Sequence, residues 1–223
     1  MTLESSKTLG GVGAILLFIG VLPYISEITF GIIGIIGIIL VLIALHGLAN
    51  IYNEKGIFNY SLYGLIAGIV GAVIAGVVVL VAVLSNLKTL LQDIYPTWNG
   101  KWTSISSLSG MTPNTSNIST STIFSLLAGA LVAFVIFWIF LILWAFLARK
   151  SLKMLATKSG TGLFSTASLL LIIGAALTIV IIGVIIMWVG VLLLAIAFFQ
   201  IKKQMEQPPA TYMTPPPSTP TPV

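Results

Sequence analysis

Few residues of this 223-residue chain carry side chains that could do chemistry. It has one histidine, no cysteine, five Asp or Glu, and ten Lys or Arg that give a formal net charge of +5. The sequence contains no carboxylate pair, metal-ligand spacing, phosphate-binding loop or nucleophile beside a base. It therefore predicts no catalytic residue, no metal and no cofactor, and it favours a protein that is not an enzyme.

The single histidine, His46, lies near the end of a long apolar segment. Histidine titrates near pH 6.5, so His46 is a candidate proton-sensitive group. The alternative is a structural histidine that is favoured at the negative end of a helix. In another apolar run, hydroxyl side chains are expected to bond along or between helices, namely Ser165, Thr166, Ser168 and Thr178.

Two asparagines in "PNTSNIST" match the glycan acceptor pattern N-x-[ST], Asn114 and Asn117. Chance matches are common in a stretch so rich in Ser and Thr. Glycosylation is therefore expected only if this segment lies outside the cell.

The composition defines the solvent that the chain requires. It is 58% hydrophobic and 7% charged, with a mean hydropathy of +1.14, whereas a soluble domain has about 25% charged residues. Such a chain needs lipid around it. Its basic residues lie in short loops, which favours lipid head groups over nucleic acid as their partner.

The apolar runs predict an all-α, polytopic transmembrane bundle with six spans in residues 1–203. One span needs about 20 apolar residues. The run 163–201 is 39 residues long and is divided into two spans with a turn near 176–182. The predicted spans are about 9–25, 30–48, 60–84, 123–147, 163–180 and 183–201.

The basic residues predict the orientation. With both termini in the cytoplasm, eight basic residues lie inside and two, Lys88 and Lys101, lie outside. This agrees with the positive-inside rule and predicts a multi-pass protein of the cell membrane. The inner set is Lys7, Lys55, Arg149, Lys150, Lys153, Lys158, Lys202 and Lys203.

The two long polar segments differ in character. The outer loop, 85–121, opens with an amphipathic pattern that predicts a helix of about three turns, which either extends the third span or lies on the membrane. The aromatic residues after it are expected to anchor the loop at the interface, or to form a lid over a cavity. The proline-rich segment 204–223 is expected to be a disordered cytoplasmic tail.

Glycines at helical spacing predict close helix packing, because in lipid small residues let backbones approach. The alternative is a conduction pathway lined by exposed backbone. The fourth span, bulky and aromatic throughout, is expected to stay apart from other helices and to face lipid or a partner. The predicted packing glycines are Gly31, Gly34, Gly37, Gly64, Gly68 and Gly71.

Two parts of the sequence resemble each other. Residues 14–20 are similar to 168–174 at an offset of 154, and 37–45 are similar to 190–198 at an offset of 153. Spans one and two would then be repeated as spans five and six, in parallel orientation. Transporters often contain repeats, but two apolar hairpins also look alike by chance.

Two classes of function remain open. The first is a structural, assembly or accessory subunit of a membrane complex, either as a homo-oligomer or with a membrane-protein partner. The second is a small channel or transporter for neutral or weakly polar solutes. A water-accessible cavity lined by Ser165, Thr178 or His46 would favour transport, and a dry interior with a bare fourth span would favour the subunit.

Three segments resemble one known family: "SSKTLGGVGAILLFIG", "LIALHGLANIYNEKGIFNYSLYGLI" and "GVLLLAIAFFQIKK". The family is a mainly archaeal group of multi-spanning membrane proteins known as domain of unknown function 996. The resemblance covers about 3–203 and leaves out the proline-rich tail. It implies an archaeal cell membrane and supplies no activity and no site residues.

Overall fold

The computed structural model describes residues 1–20 and 27–202, so the proline-rich segment lies outside the described residues. Shorter 3₁₀ segments occupy Trp102–Gly110, Thr115–Asn117 and Thr178–Val180, and no strand occurs in the described ranges. The described chain forms six α-helices, which are α1 (Leu3–Ile19), α2 (Glu27–Ile51), α3 (Lys55–Ile94), α4 (Thr120–Ser159), α5 (Leu163–Leu177) and α6 (Ile182–Phe199).

The six helices form a closed ring in chain order. Each helix packs against the next one, and α6 packs back against α1. Neighbours run antiparallel, so the first residues of α1 and the last residues of α6 lie at the same end. There, a Cβ built on Gly10 would overlap the Phe198 ring, and one on Gly11 would overlap the Phe199 ring.

Five helical segments of the described chain are long and apolar enough to cross a membrane, which are α2, α3, α4, α6, and α5 together with the 3₁₀ turn that continues it to Val180. The remaining helix, α1, has 17 residues and is about 25 Å long, slightly shorter than a hydrocarbon core of about 30 Å. At 40 residues each, α3 and α4 are about 60 Å long and must continue beyond the bilayer. The amphipathic segment 85–94 is the end of α3 and extends that helix.

Glycines bring α1 and α2 into backbone contact. A Cβ on Gly13 would lie 2.9 Å from the Gly37 carbonyl oxygen, and one on Gly37 would lie 2.8 Å from the Gly13 carbonyl oxygen. A Cβ built on Gly31 or Gly34 meets no described atom within 4 Å, so packing within the described chain does not require glycine there. The backbone of Gly34 is nevertheless close to the end of α1, since a Cβ on Gly20 would lie 3.2 Å from the Gly34 nitrogen.

The contact between α3 and α4 uses a second row of glycines. A Cβ on Gly71 would overlap the side chain of Phe140, and one on Gly64 would lie 3.4 Å from the Leu147 Cβ. Gly68 leaves more room, since its Cβ would lie 3.7 Å from Trp144. The expectation that the bulky fourth span stays apart from other helices is therefore wrong, because the glycines of α3 make space for its aromatic rings.

Indole hydrogen bonds join the hairpins to one another. Trp138 on α4 donates from Nε1 to the Ala175 carbonyl oxygen of α5 at 3.1 Å. Trp188 on α6 donates to the Phe18 carbonyl oxygen of α1 at 2.9 Å and stacks on the Phe18 ring, with centroids 4.3 Å apart. Both acceptor carbonyls lie in the last turn of a short helix, where backbone carbonyls in general need partners from outside the helix.

The hairpins α1–α2 and α5–α6 make the same contact at equivalent positions. Gly37 lies against Gly13 and Leu17, and Gly190, at the offset of 153, lies against Ala167 and Leu171. Ala167 and Leu171 correspond to Gly13 and Leu17 at the offset of 154. A true internal repeat would place contacts at matching positions in this way, so the agreement favours the repeat.

The basic side chains divide between the two ends of the ring. Among the described residues, Lys88 and Lys101 lie near the long loop, at the end opposite the termini. The other described basic residues lie at the end that holds the first turn of α1, the α2–α3 turn and the α4–α5 turn, and they are Lys7, Lys55, Arg149, Lys150, Lys153, Lys158 and Lys202.

Candidate functional site

A cavity of about 260 Å³ lies in the centre of the ring, and all six helices contribute to its wall. It lies in the half of the bundle that carries the α2–α3 and α4–α5 turns. It is not fully enclosed. The lining residues are Leu17, Ile38, Val41, Leu42, Leu45, Ser61, Leu65, Trp144, Ala148, Leu152, Leu171, Val191 and Leu194.

Equivalent residues of the two repeated hairpins face each other across this cavity. Leu17 on α1 corresponds to Leu171 on α5, and both line it. On α2 and α6, Ile38 corresponds to Val191 and Val41 to Leu194, and these also line it. The duplicated contact that packs each hairpin therefore also places matching aliphatic side chains on two sides of the cavity.

Nearly the whole cavity wall is hydrocarbon. The one lining hydroxyl, on Ser61, donates to the Ser151 Oγ at 2.7 Å. Ser151 in turn donates to the Ile57 carbonyl oxygen. These bonds join α3 to α4 and occupy the hydroxyl protons, so the wall offers almost no polar partner to water. A cavity lined by aliphatic side chains stays dry and accepts apolar molecules.

A second depression of about 450 Å³ lies on the outside of the ring, where α2 meets α3. We refer to it as the α2–α3 groove, and its lining residues are Ile39, Leu42, Ile43, His46 and Phe58. Leu42 lines both the groove and the central cavity. Of the six neighbouring pairs in the ring, α2 and α3 make the least extensive contact.

His46 stands at the polar end of this groove. Its ring packs edge-on against Phe58, with centroids 4.8 Å apart, and its Nε2 lies 3.2 Å from the Asn50 Nδ2. With the Asn50 amide as donor, Nε2 is the acceptor and the neutral ring carries its proton on Nδ1. His46 is exposed on the outer face of α2 and does not line the central cavity.

The other predicted polar residues are likewise absent from the cavity wall. Ser165 and Thr166 are exposed, and the carbonyl oxygen of Ser165 accepts a bond from the Ser168 hydroxyl. Thr178 donates to the Gly174 carbonyl oxygen one turn earlier on α5. The Ser168 and Thr178 hydroxyls thus bond along their own helix, and that of Thr178 also lies 3.8 Å from the Met187 Sδ on α6.

At the far end of α3, Asp93 forms a cluster of hydrogen bonds with the start of α4. Its Oδ2 accepts from the backbone N–H and from the hydroxyl of Ser119, both at 2.9 Å, and from the Thr122 hydroxyl at 3.0 Å. Asp93 lies in the last turn of α3, beyond the apolar segment. The backbone bond from Ser119, followed by its hydroxyl bond, lowers the pKa of the Asp93 carboxyl below its ordinary value.

The outer loop is built around Trp98, a residue that the sequence suggested as an interfacial anchor. Trp98 is only 4% exposed, and its Nε1 donates to the Ser104 hydroxyl at 3.2 Å. Trp102 packs edge-on against it and is half-exposed. Asn114 is exposed, while the side chain of Asn117 lies outside the described residues.

The sequence contained only part of the signal for these contacts. Ser119 directly before a helical run is an ordinary N-cap signal, and its hydroxyl accepts from the Thr122 N–H. The pairing of Asp93 with that cap had no signal, because 26 residues separate them. Trp138 lies in the fourth span, which was expected to face lipid or a partner, and neither its bond to α5 nor the bond of Trp188 to α1 had a signal in the sequence.

Five antiparallel helical segments that are long and apolar enough to cross a bilayer indicate a helical membrane protein. The model of the family described as protein of unknown function DUF996 matches residues 33–192, which is most of the chain, so the chain belongs to that family. No curated protein matches the chain. No solved structure matches it either.

Proposed function

We propose that this chain is a non-enzymatic, multi-pass protein of the cell membrane that serves as a structural or accessory subunit of a membrane complex. In this proposal both termini lie in the cytoplasm. The helix α1 also crosses the membrane, which brings the number of spans to six. The distribution of basic side chains supports that orientation. The six-helix ring, in which α1 packs between α2 and α6, supports a spanning role for α1.

The exposed side of the α3–α4 hairpin carries this proposal. Trp138 is level with the last turns of α5, so the first half of α4 extends past the end of α5. Large apolar side chains remain exposed there, including Phe124 at 65% and Leu131 at 56%. A surface of this kind is suited to contact with the helices of another protein.

Photo-crosslinking tests the proposal directly. A photoreactive amino acid at Leu131 is expected to give a discrete protein adduct in native membranes, and the same probe at Ile196 on α6 serves as the control position. Gentle extraction should recover the adducted protein in a fixed ratio to this chain. If both positions give only lipid adducts and the chain purifies alone, the subunit role is wrong.

A small channel or transporter is the second candidate, and the central cavity is the observation that favours it. Its aliphatic wall fits a weakly polar solute better than an ion. Reconstituted vesicles that release small neutral solutes only when the protein is present would favour transport. Unchanged release would leave the subunit role.

A further inference from the structure

We propose that the central cavity and the α2–α3 groove form one binding site for a lipid of the surrounding bilayer. One hydrocarbon chain occupies the cavity, and the head group lies at the polar end of the groove. The proposal does not depend on a subunit role, because it concerns what fills the ring itself.

The volume and the wall of the cavity select hydrocarbon. At about 260 Å³ the cavity exceeds the 150 Å³ that is sufficient for a dry apolar cavity to hold a molecule such as benzene. An empty space of this size forfeits dispersion contacts all around its wall. Water would find almost no partners, because the lining hydroxyl of Ser61 already donates to Ser151.

The way in is between α2 and α3. These helices make the least extensive contact in the ring, and the groove on their outer side shares Leu42 with the cavity. The wall between bilayer and cavity is therefore thin at this point. The Leu42 side chain, which lines both spaces, is the group that we expect to move when a lipid chain passes from the groove beside Ile39 and Ile43 into the cavity.

Polar groups stand where a head group would lie. His46 and Asn50 end the groove on α2, about one turn before the α2–α3 connection. Lys55 begins α3, three residues before Phe58 and therefore on the same side of the helix. The His46 ring can donate a hydrogen bond to an ester or phosphate oxygen, and the Lys55 ammonium complements a phosphate charge. The arrangement fits an anionic phospholipid.

The site can be tested with the protein reconstituted in vesicles of phosphatidylcholine and phosphatidylglycerol. A small fraction of the phosphatidylglycerol carries a diazirine midway along one acyl chain. After photolysis, labelling is expected at Leu42 and Leu65. Ala148→Phe, which fills the cavity from α4, should abolish the Leu65 label. Ala130→Phe on the exposed side of α4 is the matched control and should leave it unchanged. Label confined to outward side chains such as Ile139, or label at Leu65 that survives Ala148→Phe, would overturn the proposal.

A second measurement does not depend on whether the filled variant folds. The native chain has no cysteine, so Leu65→Cys introduces a single thiol into the cavity wall. Reaction of that thiol with a membrane-impermeant maleimide would show an aqueous cavity and would overturn the proposal. Protection from the maleimide, together with quenching by a chain-labelled nitroxide lipid, would support it.

The head-group part has its own control pair. Lys55→Gln is expected to reduce labelling of Leu65 by the phosphatidylglycerol probe but not by its phosphatidylcholine analogue. Lys88→Gln, at the opposite end of α3, should leave both unchanged. Equal losses with both probes, or no loss with either, would overturn the assignment of the head group to this end of the groove.

Discussion

Gly13 on α1 and Gly37 on α2 each face the carbonyl oxygen of the other, at a distance that leaves no room for a methyl group. Replacement of Gly37 by Ala would place a Cβ 2.8 Å from the Gly13 oxygen, and both partners are backbone. Because neither helix can yield without moving as a whole, we expect a loss of about 1–3 kcal/mol in the free energy of unfolding.

Gly34→Ala on the same helix is the matched control. Its Cβ meets no described atom within 4 Å, and alanine forms helix more readily than glycine, by up to about 1 kcal/mol. Unfolding of both variants in mixed micelles should therefore move the midpoint in opposite directions. Equal stability of the two would refute the packing role of Gly37.

We expect substitutions of Trp188 to lower the stability of the fold in steps, because they weaken the contact between α6 and α1. Trp188→Phe keeps an aromatic ring on Phe18 but removes the hydrogen bond to its carbonyl, which should cost about 1 kcal/mol. Trp188→Ala also removes the stacked ring and should cost more. Thermal melting in detergent measures both, with Trp102→Phe on the outer loop as the control. If the Trp188 variants melt at temperatures no lower than the control, the contact between Trp188 and α1 does not hold the ring closed.

The Asp93 cluster predicts acid sensitivity at the outer end of the α3–α4 hairpin. The folded-state pKa of Asp93 is lowered, so its hydrogen bonds stabilise the fold above the ordinary value of about 3.9 and are lost as the pH falls through the lowered pKa. Amide exchange of 95–119 should increase in that acidic range.

Asp93→Asn removes the charge and keeps an acceptor oxygen. Its loop should exchange faster than the parent already at neutral pH and show no further change near the carboxyl titration. Glu4→Gln, which affects an exposed ion pair with Lys7 at the other end, is the control. A parent-like pH profile in Asp93→Asn would mean that another group controls the loop.

Single cysteines test the orientation without background, because the native chain has none. Ser106→Cys in the outer loop should react with an impermeant maleimide on intact cells, and Thr157→Cys near the end of α4 should react only after lysis. Both positions are exposed. The reverse pattern would invert the topology and would also place Asn114 and Asn117 out of reach of extracellular glycosylation.

The sequence predicted where the chain is apolar better than where its helices end. Apolar runs located the centres of α2 to α6, but α3 and α4 extend past them, since lipid preference ends at Leu84 while backbone hydrogen bonding continues to Ile94. The turn between α5 and α6 falls at 178–181, within the expected range, although no proline or charge marks it.

The pairing of helices could be predicted only where glycines at helical spacing indicated a close contact. Gly37, Gly64 and Gly71 do lie at contacts, but the glycines of α1 that meet α2 and α6 were not singled out. The central cavity had no sequence signal, because its shape is the sum of six surfaces and its wall uses the same Leu, Ile and Val as the lipid-facing sides. His46 could be singled out by type, yet its position on the outer groove depends on how α2 is rotated in the ring.

The adjacency of α1 and α6 affects the order of assembly. Of the six described helices, α1 is synthesised first and α6 last, and neighbouring hairpins can form while the rest of the chain is still emerging. The surface of α1 around Gly10 and Gly11 therefore remains uncovered until Phe198 and Phe199 of α6 pack against it. A chain that is released before α6 is made would therefore leave the ring open, and its apolar interior would be exposed to quality-control proteases.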